Sequence, residues 1–268
     1  MLTVLSVLLA LFLMFLLSTM GRRGHARLSA LQKHVYAHRG LHGENVPENS
    51  LEAFRRAKEA GYGVELDVHL LKDGNLAVFH DTDLERMTGK PGKITDLTTE
   101  ELSNYCLGGT AYTIPTFREV LDLFDGSVPV IVELKAQGNC AELCEKTCSM
   151  LDTYSGDFCL ESFDPRCVRW LRQNRPDFIR GQLTENYLVN RNVKLPLIVR
   201  FVMRHQLLNF LTMPDFVAYR YSDRKTISNV LCRKFWGVQG VVWTIQTREE
   251  LDTATQEGWI SIFEGFRP

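Results

Sequence analysis

From residue 34 onward, short apolar runs rich in β-branched and aromatic residues alternate with helix-like stretches, the pattern of parallel β–α units. Eight runs are predicted strands, the number that closes a (β/α)8 barrel; they are His34–His38, Gly63–Val68, Pro129–Leu134, Phe158–Ser162, Phe178–Gln182, Phe216–Tyr219, Val238–Trp243 and Trp259–Phe263. Helical spacing of apolar residues falls between them, at Leu51–Ala60, Phe117–Phe124, Ala141–Leu151, Pro165–Asn174, Lys225–Phe235 and Arg248–Gln256. The sequence therefore predicts an α/β fold, a TIM barrel over residues 34–268.

Two local signals refine this prediction. Asn49 followed by Glu52 is typical of the cap that begins a helix, here the first one. A ninth β-like run, Leu76–Phe79, follows Asp73-Gly74, a two-residue hairpin signal. Folding the chain about that turn sets Asp67 opposite His80. We expect a β-hairpin excursion after strand 2 that returns His80 to the mouth of the barrel.

The N-terminal segment differs from the rest of the chain. Leu2–Met20 contains no charged residue, and a helix of this length nearly crosses a bilayer core of about 30 Å. Basic residues follow it but do not precede it, and they are Arg22, Arg23, His25 and Arg27. A cleaved signal peptide is the alternative, although a basic leader and a small-x-small cleavage site are not evident. We predict a single transmembrane helix over residues 1–21, a basic juxtamembrane linker over 22–33 and, by the positive-inside rule, a cytoplasmic barrel.

Composition and charge narrow the function classes. The 268 residues carry 31 Lys+Arg and 32 Asp+Glu, a formal charge of −1, which argues against general nucleic-acid binding. Hydrophobic residues at 45% and charged residues at 24% exclude disorder and a multi-span membrane protein. The seven cysteines form an odd set without a C-x-x-C pair, which favours a reducing compartment.

Charged side chains gather at the carboxyl ends of the predicted strands, where barrel active sites form. They are His38 and Arg39 after the first strand, Glu65 and Asp67 on the second, His80 after the hairpin, and Glu133 and Lys135 on the third. Residues at i and i+2 of a strand share one face, so the acids converge, and unpaired buried charges are costly. Two accounts stay open: an ion-pair layer neutralised by Arg39 and Lys135, or three carboxylates around one hard divalent ion.

Taken in order, these motifs resemble the glycerophosphodiester phosphodiesterase family. The matching segments span about a hundred residues; they are His38-Arg39-Gly40, Pro47-Glu48-Asn49-Ser50, Glu65-Leu66-Asp67-Val68, Asp73-Gly74, His80-Asp81 and Glu133-Leu134-Lys135, with weaker matches at Ser162-Phe163 and Trp243-Thr244. The resemblance implies a barrel with a divalent metal ion, Mg²⁺ or Ca²⁺, held by Glu65, Asp67 and Glu133. It implies that His38 and His80 are the catalytic acid/base pair, and that Arg39, Lys135 and Trp243 bind the substrate and its phosphate.

The later strands depart from the family pattern. Gln246 follows Ile245 where the family has Asn, and the last strand ends in Phe263-Glu264 where the family has Thr-Asp. These differences bear on substrate fit more than on metal binding.

The expected function is hydrolysis of a glycerophosphodiester to glycerol 3-phosphate and an alcohol, by water or by the neighbouring glycerol hydroxyl as first nucleophile. A membrane anchor adds lysophospholipids as substrates, which is lysophospholipase D activity. The other hypotheses are a phospholipase-C-like enzyme and a non-catalytic glycerophosphodiester-binding membrane protein. Leu195–Met213 bears on the substrate, because it is strongly apolar with a basic stripe. It is either a barrel helix that packs inward or an interfacial helix on a bilayer.

Overall fold

Parallel strands close into a barrel in the computed structural model, which describes residues 1–190 and 193–268. Within those residues, nine strands form one sheet in the order β1-β9-β8-β7-β6-β5-β4-β2-β3, and β1 also pairs with β2. The strands are β1 (Tyr36–His38), β2 (Gly63–Leu70), β3 (Leu76–Val78), β4 (Val130–Leu134), β5 (Phe158–Ser162), β6 (Arg180–Thr184), β7 (Phe216–Arg220), β8 (Gln239–Ile245) and β9 (Trp259–Phe263). Eight of them are parallel to their neighbours, and β3 is antiparallel to β2 outside the barrel. The predicted TIM barrel is confirmed.

Helices surround this barrel. They are α1 (Leu2–Ser18), α2 (Leu28–Leu31), α3 (Leu51–Glu59), α4 (Glu85–Thr88), α5 (Phe117–Phe124), α6 (Cys140–Leu151), α7 (Pro165–Asn174), α8 (Leu197–Arg204), α9 (Asn209–Thr212), α10 (Ile227–Lys234) and α11 (Arg248–Gln256). Six of them, α3, α5, α6, α7, α10 and α11, lie at the predicted periodic segments. Ser50, rather than Asn49, caps α3, because its hydroxyl accepts the Ala53 N–H at 3.1 Å. Asn49 has a φ of 55° and its amide donates to Asp67 instead.

Alternation along each strand divides the apolar core into two layers. Val130, Val132 and Leu134 of β4 pack in the layer under the helices, whereas Ile131 points into the barrel interior. Glu133 has the same parity as Ile131, which places it inside the barrel one step nearer the carboxyl end. This alternation therefore places acidic side chains such as Glu133 in the barrel mouth, above the apolar interior.

The hairpin after β2 exists, but its predicted register is wrong by one residue. Val68 pairs with Val78 and Leu70 with Leu76, and the Phe79 N–H donates to the Asp67 carbonyl at 3.0 Å. The turn has three residues rather than two, since the Leu71 N–H donates to the Asn75 carbonyl across Lys72, Asp73 and Gly74. Gly74 has a φ of 79°, the left-handed conformation that a three-residue hairpin loop requires. Asp67 is therefore opposite Phe79, not His80.

Residues 22–33, predicted as a linker, pack against the end of the barrel opposite its mouth. Leu28 and Leu31 of α2 are buried in the interior layer, and the Tyr36 hydroxyl donates to the Leu31 carbonyl at 2.9 Å. Arg22 makes a two-pronged ion pair with Asp215, at 2.5 and 2.6 Å.

The transmembrane prediction for residues 1–21 is not supported. Helix α1 has 17 residues, so it is about 25 Å long, short of a bilayer core of about 30 Å. Among the residues that the structure describes, we find no helix both long and apolar enough to cross a membrane. The cytoplasmic placement of the barrel stays a prediction.

Candidate active site

The eight side chains predicted from the sequence meet at the carboxyl ends of the strands. A cavity of about 320 Å³ opens there, lined among others by His38, Arg39, Glu65, His80, Glu133 and Trp243. Asp67 and Lys135 adjoin it through close contacts with Arg39 and Glu133. Residues that are up to about 200 positions apart in the chain thus surround one volume large enough for a small ligand.

The three predicted metal ligands form one cluster. Glu65, Asp67 and Glu133 are buried, and each offers an oxygen within 4.8 Å of the others. Asp67 and Glu133 are paired across β2 and β4. Burial and the neighbouring acids raise the pKa of Glu65 well above its usual value, and burial raises the pKa of Glu133 to about 7. Asp67 behaves differently: although burial alone would raise its pKa, Lys135, His80 and Arg39 hold it well below its usual value.

Lys135 and Arg39 neutralise only part of this acidic cluster. Lys135 Nζ lies 2.7 Å from Glu133 Oε1 and 3.0 Å from Asp67 Oδ1, and Arg39 Nε lies 3.5 Å from Asp67 Oδ2. A fourth buried carboxylate, Glu161, is paired with Glu133 across β4 and β5, and its Oε2 has no hydrogen-bond partner. Four acids face two cations, so full ionisation leaves two negative charges. This donor set fits a hard divalent cation with oxygen ligands.

Both predicted catalytic histidines are held by a carboxylate at Nδ1. The distances are 2.8 Å from His38 Nδ1 to Glu264 Oε2 and 2.7 Å from His80 Nδ1 to Asp81 Oδ1. The bond from His38 lowers the pKa of Glu264 to about 2, and burial lowers the pKa of His80. A carboxylate at Nδ1 fixes the orientation of an imidazole and leaves Nε2 for proton transfer.

Comparison with known proteins agrees with this geometry. The model of the Glycerophosphoryl diester phosphodiesterase family matches residues 38–263. The chain belongs to this family.

Relatives in this phosphodiesterase family include a bacterial and a human protein. A segment of 110 residues is 44% identical to the glycerophosphodiester phosphodiesterase of Caldanaerobacter subterraneus, over 38% of this chain and 45% of that one. A segment of 139 residues is 34% identical to human lysophospholipase D GDPD1, over 47% of this chain and 42% of that one. The chain thus spans less than half the length of these two relatives.

Two solved phosphodiesterase structures share the barrel. A phosphodiesterase from Oleispira antarctica, solved with its product sn-glycerol-3-phosphate, superposes with a TM-score of 0.72 at 22% identity, over 90% of this chain and 95% of that one. The glycerophosphodiester phosphodiesterase of Thermotoga maritima superposes with a TM-score of 0.64 at 27% identity, over 85% and 92% of the two chains.

The sequence reasoning missed several residues of this phosphodiesterase-family site. Glu48 accepts from Arg39 at 2.8 Å and from Arg86 at 2.6 Å, and Arg86 also binds Asp81. The motif around Glu48 was a visible signal for this network. Glu264 departs from the family pattern in sequence, but its contact with His38 depends on barrel closure.

Aromatic and charged side chains form the far wall of the cavity. Trp243 packs edge-to-face against Phe163, with ring centroids 5.8 Å apart, and the Arg220 guanidinium lies 5.3 Å from the Trp243 ring. Arg220 pairs with Glu185 at 2.9 Å. Trp243, which the family resemblance gave as a substrate-binding residue, therefore lies in the wall of the cavity.

Proposed function

We propose that this chain is a metal-dependent phosphodiesterase that hydrolyses glycerophosphodiesters to glycerol 3-phosphate and an alcohol. The observation that carries the proposal is the convergence of three carboxylates, two cations and two carboxylate-held imidazoles on one cavity. Family membership and the activity for which the bacterial relative is named support it.

Glu65, Asp67 and Glu133 would hold one Mg²⁺ or Ca²⁺ ion, because their clustered carboxylates offer the oxygen ligands that such ions prefer. When bound, such an ion polarises a phosphoryl oxygen and stabilises developing charge. Arg39, with its planar guanidinium group, and Lys135, with its compact ammonium group, would bind other phosphate oxygens.

Proton transfer falls to the two histidines. One imidazole would remove a proton from the nucleophile, which is water or the glycerol hydroxyl next to the phosphate, and the other would protonate the leaving alkoxide. Glu264 and Asp81 keep each ring oriented for this task by accepting at Nδ1.

The test measures release of glycerol 3-phosphate from glycerophosphocholine with and without Mg²⁺ or Ca²⁺. We expect Glu65→Gln and His38→Ala each to lose activity by about 10²- to 10⁴-fold. His25→Ala, at the opposite end of the barrel, is the control and should retain it. Undiminished release by both site variants would sink the assignment, and metal-independent ligand binding without turnover would favour the non-catalytic alternative.

A further inference from the structure

Helix α8 covers one side of the barrel mouth, yet it buries none of its residues. Leu197 is 74% exposed and Ile198 is 69% exposed, although apolar helices in barrels normally pack their apolar face inward. The segment Leu195–Met213, expected to be one helix, contains two short helices, α8 and α9. An apolar helix without a buried residue indicates a surface that a ligand completes.

The last turn of α8 is hydrogen-bonded to the barrel, whereas the first turn stays exposed. The Thr184 hydroxyl donates to the Met203 carbonyl at 3.0 Å, and the Tyr219 hydroxyl donates to the Arg204 carbonyl at 2.9 Å. These bonds attach the helix to the ends of β6 and β7. Between the helix and the barrel lies a groove of about 620 Å³.

Apolar side chains line most of this groove. Val199 and Met203 lie on the helix side, and Pro165 and Tyr187 lie on the barrel side. Asp164 and Arg166, which also border it, neutralise each other at 2.6 Å. A peptide would leave backbone groups unsatisfied in such a groove, whereas a hydrocarbon chain has none to satisfy.

The groove adjoins the candidate active site. Phe163 and Glu185 line both the groove and the catalytic cavity. The Phe163 ring packs edge-to-face with Trp243 on the cavity side and with Tyr187 on the groove side, at centroid distances of 5.8 and 6.4 Å. Phe163 and Glu185 thus form the shared wall that a ligand with its phosphate in the cavity would pass to reach the groove along α8.

We propose that this groove binds the single acyl chain of a lysophospholipid whose phosphodiester lies in the catalytic cavity. The proposal rests on the proposed function and specifies its substrate class as single-chain lipid diesters. Helix α8 has eight residues and is about 12 Å long, so it covers part of a chain rather than a bilayer patch.

The first experiment uses the full chain with lysophosphatidylcholines of increasing acyl length, all kept below their micelle-forming concentration. Glycerophosphocholine is the chainless reference with the same headgroup. We expect kcat/KM to rise with chain length, by up to about fourfold for each methylene that becomes fully buried. A kcat/KM of the parent protein that does not change with acyl length overturns the proposal.

Two neighbouring substitutions separate the groove from the outer helix surface. Val199→Asp places a charge in the groove, and Ile198→Asp places the same charge on the exposed side of the same helix turn. With each variant normalised to its own turnover of glycerophosphocholine, we expect Val199→Asp to abolish the chain-length dependence and Ile198→Asp to keep it. Equal dependence in both variants contradicts the proposal.

Binding measurements keep this inference separate from the proposed function. If the parent hydrolyses neither diester, the proposed function fails. Calorimetric titration with the same lysophosphatidylcholines then tests whether the groove binds the acyl chain. An affinity that rises with acyl length in the parent and no longer does so in Val199→Asp supports the proposal. Binding that does not depend on acyl length overturns the proposal. A parent dimer that Val199→Asp dissociates also overturns it, because the occupant of the groove is then a second copy of the protein.

Discussion

His38 and His80 are oriented in the same way but have different surroundings. The carboxylate that holds His80, Asp81, is also bound by Arg86, whereas the Glu264 carboxylate faces a second histidine, His42, at 3.5 Å. Glu264 is thus the residue through which the orientation of His38 can be changed without touching the acidic cluster.

We expect Glu264→Gln to lower kcat for glycerophosphocholine by about 10- to 100-fold with little change in KM, because His38 loses its charged acceptor while the phosphate contacts remain. Steady-state kinetics measure this split. Glu264→Asp should recover part of kcat, and Glu44→Gln, an exposed carboxylate in the loop between β1 and α3, should match the parent. A parent-like kcat in Glu264→Gln would contradict a positioning role.

The acidic cluster predicts how stability depends on pH in metal-free protein. Burial raises the pKa of Glu133 from 4.5 to about 7, so the folded state binds its proton more tightly than the unfolded state does. The resulting stabilisation is fully present below about pH 4.5 and is lost as pH rises through about 7, by at most about 3 kcal/mol. Asp67, whose pKa is lowered, acts oppositely below about pH 4.

Thermal unfolding with and without chelator checks this prediction. We expect the Tm of metal-free protein to fall between pH 5 and pH 8, and Mg²⁺ or Ca²⁺ to offset that fall, because an ion binds the deprotonated carboxylates. Glu133→Gln should flatten the metal-free profile. The idea fails if the variant keeps the parent's slope.

At the scale of elements, the hairpin turn after β2 decides the register of its strands. A shift of one residue reverses which side chains point inward. The left-handed Gly74 lets the chain turn in three residues and so pairs Val68 with Val78.

Gly74→Ala should lower the free energy of unfolding by about 1 kcal/mol, because a Cβ at a φ of 79° is strained even though its nearest neighbour, Glu142 Oε1 at 3.7 Å, leaves room for it. Urea unfolding measures the loss. Gly43→Ala, at an ordinary φ and with open space, is the matched control and should be nearly neutral. Equal stabilities of the two variants would show that the turn does not constrain this position.

Strand limits show where local pattern was insufficient. The segment predicted as Phe178–Gln182 is instead β6, Arg180–Thr184. Phe178 packs edge-to-face on Phe158, with centroids 4.8 Å apart, and Arg175 lies over its ring at 3.5 Å. An aromatic residue just before a strand resembles a strand residue in sequence, but here Phe178 precedes β6 and packs against Phe158 at the start of β5.

At the scale of the whole molecule, the N-terminal segment is joined to the barrel. Arg22 contacts Asp215 and the carbonyls of Pro176 and Phe178, which lie near the starts of β6 and β7. Asp215 is buried and also accepts from the Arg180 backbone N–H.

Arg22→Ala should destabilise the barrel by about 1–3 kcal/mol, since it leaves the buried Asp215 carboxylate without its cation while Arg22 itself is partly exposed. Chemical denaturation of the full chain measures the change. Arg23→Ala removes an adjacent positive charge and serves as control. Parent-like stability of Arg22→Ala would mean that this contact adds nothing to the fold.

The sequence by itself determined the barrel, the hairpin and the convergence of Glu65, Asp67 and Glu133. These features follow from local rules, because the alternation along a strand and the succession of strands and helices depend on residues that are close in sequence. Tertiary structure decided which distant groups meet. Closure pairs β1 with β9 and so brings Glu264 to His38, 226 residues away, and the pairing of β4 with β5 sets Glu161 beside Glu133. Such contacts depend on closure and register across the whole sheet, which no local pattern encodes.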